Sequence, residues 1–269
     1  MSILEALILG IVQGATEFLP VSSSGHLLIV PDLFNLTEPS LNVIATAHQG
    51  TLLAVLVYFA TDLWAIAKGV LGGLRQRQLF GTTEARLGWY VVAGTVPAVI
   101  VGFPLSARFD ELFSPVAAAI SLIVTSLFLV IGERYLTGKK SLSQMNWSDA
   151  LFIGIAQVLA LIPGNSRSGI TISAGLVRDL DRATAARYSF LLGIPAIAGA
   201  GLLALFDLLA APDLSQQLPV LLITFLTSVI TGYLCIRFLL NWLKSHSLIP
   251  FIIYRVVLGT AYLLLAWFA

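Results

Sequence analysis

Residues 10–29 read GIVQGATEFLPVSSSGHLLI. An apolar run carrying Gln13 and Glu17 meets Pro20, passes through Ser22, Ser23, Ser24, Gly25 and His26, and turns apolar again. Proline stops a helix and a Ser-Gly run opens one, so the stretch predicts a helix, a break and a second helix. The rest of the chain decides what surrounds that break. Of 269 residues, 58% are hydrophobic and 11% charged, and the mean hydropathy is +0.93. Apolar stretches run through Leu41–Ala60, Val116–Ile131, Leu191–Phe206, Leu218–Leu240 and Ile249–Ala269. A helix rises about 1.5 Å per residue, so roughly 20 apolar residues cross the hydrocarbon layer. The composition predicts an all-α polytopic membrane protein, one membrane domain over residues 1–269.

Residues 154–173, GIAQVLALIPGNSRSGITIS, repeat the opening pattern at a constant shift of 144. Gly10 pairs with Gly154, Ile11 with Ile155, Gln13 with Gln157, Ser22 with Ser166, Ser24 with Ser168 and Gly25 with Gly169. Chance likeness between apolar segments would match leucines and valines, not a glutamine and two serines. The repeat divides the chain into halves near 1–135 and 145–269.

Charge gives the halves opposite senses. In the first half, 62–88 carries Lys68, Arg75, Arg77 and Arg86, and 133–149 carries Arg134, Lys139 and Lys140. The intervening turn, 106–114, sets Arg108 against Asp110 and Glu111. The positive-inside rule places the first two in the cytoplasm and the third outside. In the second half, Arg178, Arg182 and Arg187 mark a cytoplasmic connection, 207–217 with Asp207 and Asp213 an outer one, and Arg237 and Lys244 a cytoplasmic one. The sign order reverses, as in an inverted-topology repeat. Re-entrant hairpins at 4–30 and 150–177, entering from opposite faces, close the scheme with six full spans near 41–61, 88–105, 115–132, 188–206, 218–236 and 250–269. Both termini then lie outside.

Other features are plain. The start, Met1-Ser2-Ile3-Leu4-Glu5, has no basic region and no small-residue cleavage site, so it is expected to be mature sequence rather than a signal peptide. A net charge of +1 offers no basic surface for nucleic acid. The single cysteine, Cys235, excludes a disulfide within the chain and reads as a small hydrophobe.

Irregular backbone at membrane depth must be buried in protein or line a wet cavity. Two inverted hairpins bring the tips Pro20–His26 and Pro163–Gly169 face to face near the bilayer centre. Helix N-termini there favour an anion, and Arg167 adds a cation whose fork suits phosphate oxygens. The repeat aligns Arg167 with Ser23, so the symmetry breaks where two different groups serve chemistry. Ser23 and His26 are three apart and share a face if the helix has begun. Gln13 lies one turn before Glu17, and Arg167 can pair with Glu17. A Ser-Gly run alone is often only a cap, and a lone histidine is more often structural; His48 and His246 lack polar company and read as structural or interfacial.

Two patterns carry a resemblance. Gln13-x-x-x-Glu17 followed by FLPVSSSGH, and PGNSRSGIT at 163–171, resemble the signature regions of the integral membrane undecaprenyl pyrophosphate phosphatase family linked to bacitracin resistance. HQGTLLAVLVYF at 48–59, RYSFLLGIPAIAGAG at 187–201, GYLCIRFLL at 232–240 and YRVVLG at 254–259 extend it over nearly the whole chain. The resemblance implies hydrolysis of a C55 polyprenyl pyrophosphate lipid to the monophosphate carrier for peptidoglycan and other envelope polymers. It implies a multi-pass protein of the bacterial cytoplasmic membrane, with its site open to the outer face, and a divalent cation, Mg2+ or Ca2+. By motif position, Glu17, Ser23, His26 and Arg167 are the catalytic candidates, and Ser22, Ser24, Gly25, Ser166, Ser168, Gly169 and Thr171 the substrate-binding ones. Glu17, with the amide of Gln13 as the lesser candidate, would hold the cation; a glutamine at 13 supplies no second carboxylate.

The nucleophile stays open among Ser23 activated by His26, His26 itself, and a water for which His26 is the base. A transporter or flippase of a polyprenyl phosphate, or of another anion, shares the inverted repeat and the anion site, and differs in needing no nucleophile. The small-residue face Gly193–Gly201 admits a homodimer contact as readily as packing within the chain.

Overall fold

A computed structural model describes residues 1–105, 114–209 and 214–268, with the side chains at 105, 200 and 202–209 left out of account. Most of the turn 106–114, Asp213 and the side chain of Asp207, which bear on the orientation above, lie outside what is described. Eleven α-helices are present among the described residues: α1 Ile3–Phe18, α2 Ser23–Leu33, α3 Leu41–Tyr58, α4 Ala60–Gln76, α5 Thr83–Leu105, α6 Pro115–Tyr135, α7 Trp147–Gln157, α8 Arg167–Val177, α9 Arg182–Leu209, α10 Leu214–Trp242 and α11 Ile249–Phe268. Five of them, α3, α5, α6, α10 and α11, are long and apolar enough to cross a membrane, and α9 has 28 residues.

The polar stretches fall between short helices. α2, α7 and α8 have 11 residues each, about 17 Å of rise and too little to span. Each break has a local cause. Leu19 and Ile162, the residues before Pro20 and Pro163, are extended with ψ of 141° and 124°, since a following proline disfavours the helical region. The new helices then start on matched serine caps: the Gly25 amide donates to Ser22 Oγ at 3.2 Å, and the Gly169 amide to Ser166 Oγ at 3.0 Å. The caps are not alike in backbone. Ser22 has φ of 76°, a region that non-glycine residues rarely occupy, whereas Ser166 is ordinary at −71°.

Each hairpin docks on the other half of the chain. α1 packs on α10, and α7 on α5. A Cβ at Gly14 would meet the backbone of Ser228 and Gly232 at 2.8 Å, and one at Gly154 would collide with the backbone of Gly94. Without side chains at those points the helix axes approach closely enough for backbone contact. Around them lies the main core, with Phe18 edge-on to Phe190 at 5.3 Å and Tyr188 donating to the Tyr90 carbonyl at 2.9 Å.

Four connections meet at one end of the bundle. Arg178 Nε donates to Asp149 at 2.9 Å, Arg182 Nε to Glu133 at 2.8 Å and Arg187 to Asp62 at 2.6 Å. Glu133 also accepts from the Leu248 amide at 2.7 Å. Arg178, Arg182 and Arg187, which read as loop charges in the sequence, are therefore ties between helices. Residues 62–88 differ from the loop expected there, because α4 fills much of the segment. Ile66 and Val70 lie on the side turned to Gly88 of α5, while Trp64 and Lys68 are exposed. This is an amphipathic helix that counting charges alone passes over. Cys235 is half-buried. Gly193 and Gly201 face inward, against Arg167 and Gln49, so these two glycines serve packing within the chain.

Candidate active site

The two tips touch. The Gly164 amide donates to Ser24 Oγ at 3.1 Å, and Ser168 Oγ donates to the Leu19 carbonyl at 3.2 Å. Gly164 accommodates the crossing with φ of 86°, and any Cβ there would press into Ala118 and Ser121 of α6.

Beside the contact stands Glu17, 7% exposed at the end of α1. Its Oε1 accepts from Arg167 at 2.9 Å. Its Oε2 accepts from Ser23 Oγ at 2.7 Å and from Gln13 Nε2 at 3.1 Å, and lies 3.8 Å from His48 Nε2. The expected Glu17–Arg167 pair is present. Arg167 is aimed by its second nitrogen, which donates to the Ser189 carbonyl at 3.0 Å, and by Gly193, where a side chain would collide with the guanidinium. Thr171 supports the same corner: its hydroxyl donates to the Arg167 carbonyl at 2.7 Å and lies 2.6 Å from Ser189 Oγ.

His26 has different company from that expected. Its Nδ1 lies 2.7 Å from the Ser22 carbonyl, which can only accept, so Nδ1 carries the proton. A neutral ring then accepts at Nε2 from the Tyr254 hydroxyl, 2.7 Å away, with the two rings stacked 8° from parallel. Both nitrogens are engaged, and the Ser23 hydroxyl turns to Glu17 instead. One turn of helix does bring positions 23 and 26 together, but Ser23 starts α2 on the side facing α1 while His26 reaches toward α11. Ser22 and Ser24 (3.3 Å), and Ser166 and Ser168 (3.1 Å), pair their hydroxyls within each tip.

Four side chains join the site without having been expected there. His48 comes from α3, Ser189 from α9, and Tyr254 and Arg255 from α11. Arg255 is fully buried, has no carboxylate partner among the described residues, and lies under both tips. It donates to the Pro20 carbonyl at 3.4 Å and to Thr125 Oγ1, and a Cβ at Gly169 would come within 3.0 Å of its NH1. A charge inside the apolar run 249–269 is the sequence signal that marks it, because ionisable groups at membrane depth are costly. The site thus sets two guanidinium groups against one carboxylate, an excess of positive charge that suits a polyanion.

A cation finds partial support. Among the described residues no three His, Cys, Asp or Glu side chains come together, so the protein does not close a cage by itself. Gln13 is fully buried, however, and its Oε1 has no hydrogen-bond partner beside the Glu17 carboxylate. One carboxylate oxygen and one orphaned amide oxygen fit a cation whose remaining ligands come from substrate phosphates.

The family described as "Bacitracin resistance protein BacA" matches residues 6–261. A protein of Chlorobaculum tepidum named undecaprenyl-diphosphatase is 42% identical over 96% of this chain and 95% of its own. One of the same name from Chlorobium limicola is 43% identical over 98% and 97%, and one from Thermomicrobium roseum is 43% identical over the full length of both.

Proposed function

Because the chain belongs to the bacitracin resistance protein BacA family, we propose that it hydrolyses undecaprenyl pyrophosphate to undecaprenyl phosphate and inorganic phosphate, recycling the lipid carrier and so conferring bacitracin resistance. The observation that carries this reading is the hydrogen bond from Ser23 Oγ to Glu17, 2.7 Å long, on a carboxylate already held by Arg167. A hydroxyl with a proton acceptor in place, beside a guanidinium and between two helix N-termini, is an arrangement for phosphoryl transfer.

Ser23 Oγ attacks the terminal phosphorus, and its proton passes to Glu17 Oε2. The bridging P–O bond breaks, and undecaprenyl phosphate leaves with the electron pair. Protonation of Glu17 removes the charge that Arg167 was pairing, so the guanidinium fork becomes available to the phosphoryl oxygens. Water then attacks the phosphoserine, the Ser23 Oγ–P bond breaks, and Ser23 Oγ takes back the proton held by Glu17, which restores both groups and releases inorganic phosphate. His26, clamped between the Ser22 carbonyl and Tyr254, positions Ser22 and Ser23 by holding the unusual backbone at Ser22. Arg255 supplies the second positive charge under the tips. Ser24, Gly25, Ser166, Ser168, Gly169 and Thr171 shape the pocket and fix its backbone. A divalent cation bound with the pyrophosphate would neutralise charge on its oxygens; Gln13 and the Glu17 carboxylate, before it takes the Ser23 proton, are the groups that would hold it.

We also read the two halves as an inverted repeat with the site open to the outer face of the bacterial cytoplasmic membrane. Support comes from the matched serine caps and from the reciprocal docking of α1 on α10 and α7 on α5. The gathering of the basic connections at one end fits the positive-inside orientation.

The test is phosphate release from a long-chain prenyl pyrophosphate by detergent-purified protein, with and without EDTA, alongside Ser23→Ala. Release that the chelator abolishes, and that Ser23→Ala lowers by about 10³-fold or more, is expected. Lipid binding without any release would replace hydrolysis by transport of the same lipid.

A further inference from the structure

The outward face of α10 carries a cation that hydrolysis at the tips does not use. α10 buries Ser228, Gly232, Ile236 and Leu239 and leaves Leu226, Ile230 and Leu234 exposed. On a span of this length and hydropathy, that outward strip meets acyl chains. Arg237 and Asn241 continue the strip three and seven residues beyond Leu234. The Arg237 side chain is exposed and has neither a hydrogen bond nor an ion pair among the described residues. No Asp or Glu occurs in 214–269. Arg237 stands five residues before Trp242, the last of α10, about 8 Å inside the end of the helix. An arginine at that depth is costly unless it reaches the interface and meets an opposite charge there. Beside it runs an open groove of about 450 Å3, lined by Leu234, Arg237, Phe238, Asn241, Trp242 and His246. Its walls are fixed. Trp242 Nε1 donates to the Ser247 carbonyl at 3.1 Å, and its ring stacks on His246 with centroids 4.0 Å apart. Lys244 Nζ donates to Asn241 Oδ1 at 3.0 Å, which brings a second cation to the rim and leaves the Asn241 amide hydrogens free to donate.

We propose that this groove binds an anionic phospholipid, with its phosphate between Arg237 and Lys244 and an acyl chain along Leu234, Ile230 and Leu226. The leaflet is the one at the end of the bundle where the basic connections gather, because the turn after α10 is tied to that end through the Leu248 amide and Glu133. Guanidinium, ammonium and amide donors above an apolar floor, beside a tryptophan at the helix end, match a phosphate head group on its acyl chains. Net negative charge decides the lipid class, since a zwitterionic head group brings its own cation to the phosphate. The groove lies on the face of α10 turned away from α1, and the proposal does not rest on the phosphatase reading. A second copy of this chain fits the face less well. A two-fold contact there would bring Arg237 toward its own copy, with no acid on the strip to answer it.

The experiment titrates the delipidated full chain in detergent with phosphatidylglycerol or phosphatidylcholine and reads bound lipid by native mass spectrometry. Phosphatidylglycerol with a photoactivatable acyl chain then reports its place through peptide mapping of the cross-link. We expect phosphatidylglycerol to bind about tenfold more tightly than phosphatidylcholine and to cross-link to α10 between Leu226 and Trp242. Arg237→Gln should weaken it roughly fivefold, Arg237→Gln combined with Lys244→Gln roughly 25-fold, and Arg237→Lys much less. Thermal midpoints near that of the parent chain show that binding, not folding, was lost. Should a variant not fold, the two lipids and the cross-link decide with the unaltered protein. Equal binding of both lipids, cross-links confined to other helices, or full binding by the folded double variant would each overturn the proposal. Three further results overturn it by naming another occupant. Displacement by millimolar inorganic phosphate makes this a free-ion site. Undecaprenyl phosphate binding more tightly than phosphatidylglycerol makes it a seat for a prenyl phosphate. A dimer that Arg237→Gln dissolves makes the face an interface between copies.

Discussion

The two tips are built to one plan and differ at a few positions. Both break before a proline, both start a helix on a serine that caps a glycine amide, and both pair that serine with another two residues on. These shared positions settle the backbone. The chemistry lies where the tips disagree: Glu17 against Leu161, Ser23 against Arg167, His26 against Ile170, Leu27 against Thr171. Most of these unshared polar groups work with something outside their own tip. Arg167 crosses to Glu17, and His26 reaches Tyr254 on α11. A duplicated scaffold thus supplies two helix N-termini, and divergence supplies the donor, the acceptor and the nucleophile.

The largest test of that division is Arg167→Lys, which keeps the charge beside Glu17 and removes the fork. kcat should fall by about 10²-fold while the thermal midpoint in detergent moves little. A fall below tenfold would mean that charge alone, rather than bidentate geometry, is what the second tip contributes.

Arg255→Met comes next. The side chain contacts both tips, so its loss should raise KM for the pyrophosphate about tenfold, with kcat less affected. Stability should hold or rise, because a buried cation without a carboxylate partner is costly to the fold. A drop of several degrees in melting temperature with KM unchanged would make Arg255 a strut for the tips and not a partner of the substrate.

The smallest effect compares the paired glycines. A Cβ at Gly169 meets Arg255 NH1 and Ser166 Cβ at 3.0 Å, whereas at Gly25 the nearest atom, Ser22 Oγ, is 3.3 Å away. Gly169→Ala should cost about 1–2 kcal/mol. Gly25→Ala should lie within about 0.5 kcal/mol of neutral, the tighter contact being offset by helix propensity. Equal losses in thermal denaturation would show the tips to be packed alike despite their different neighbours.

Much of this was legible in the sequence, and the division follows range along the chain. Proline breaks, serine caps and the repeat are local signals, each decided within a few residues, so both hairpins stand where their patterns put them. The Glu17–Arg167 pair was legible because the repeat brings its two elements together. The partners of His26 were not. Tyr254 lies 228 residues away, and nothing near position 26 records which face of α11 will arrive there. His48 read as isolated for the same reason: its polar company comes from α1, not from α3. Helix α4 is invisible to a count of charges, because what marks it is the spacing of Ile66 and Val70.

The docking of α1 on α10 also sets an order in time. The hairpin with Gln13 and Glu17 is made before Arg167 and well before α10, which begins only at Leu214. At about 5–20 residues per second, a ribosome needs roughly 10–40 s to reach it. Until Arg167 is made the Glu17 carboxylate lacks its guanidinium, and until α10 is made α1 lacks the helix that encloses it. A segment made earlier is thus enclosed only when a later one arrives.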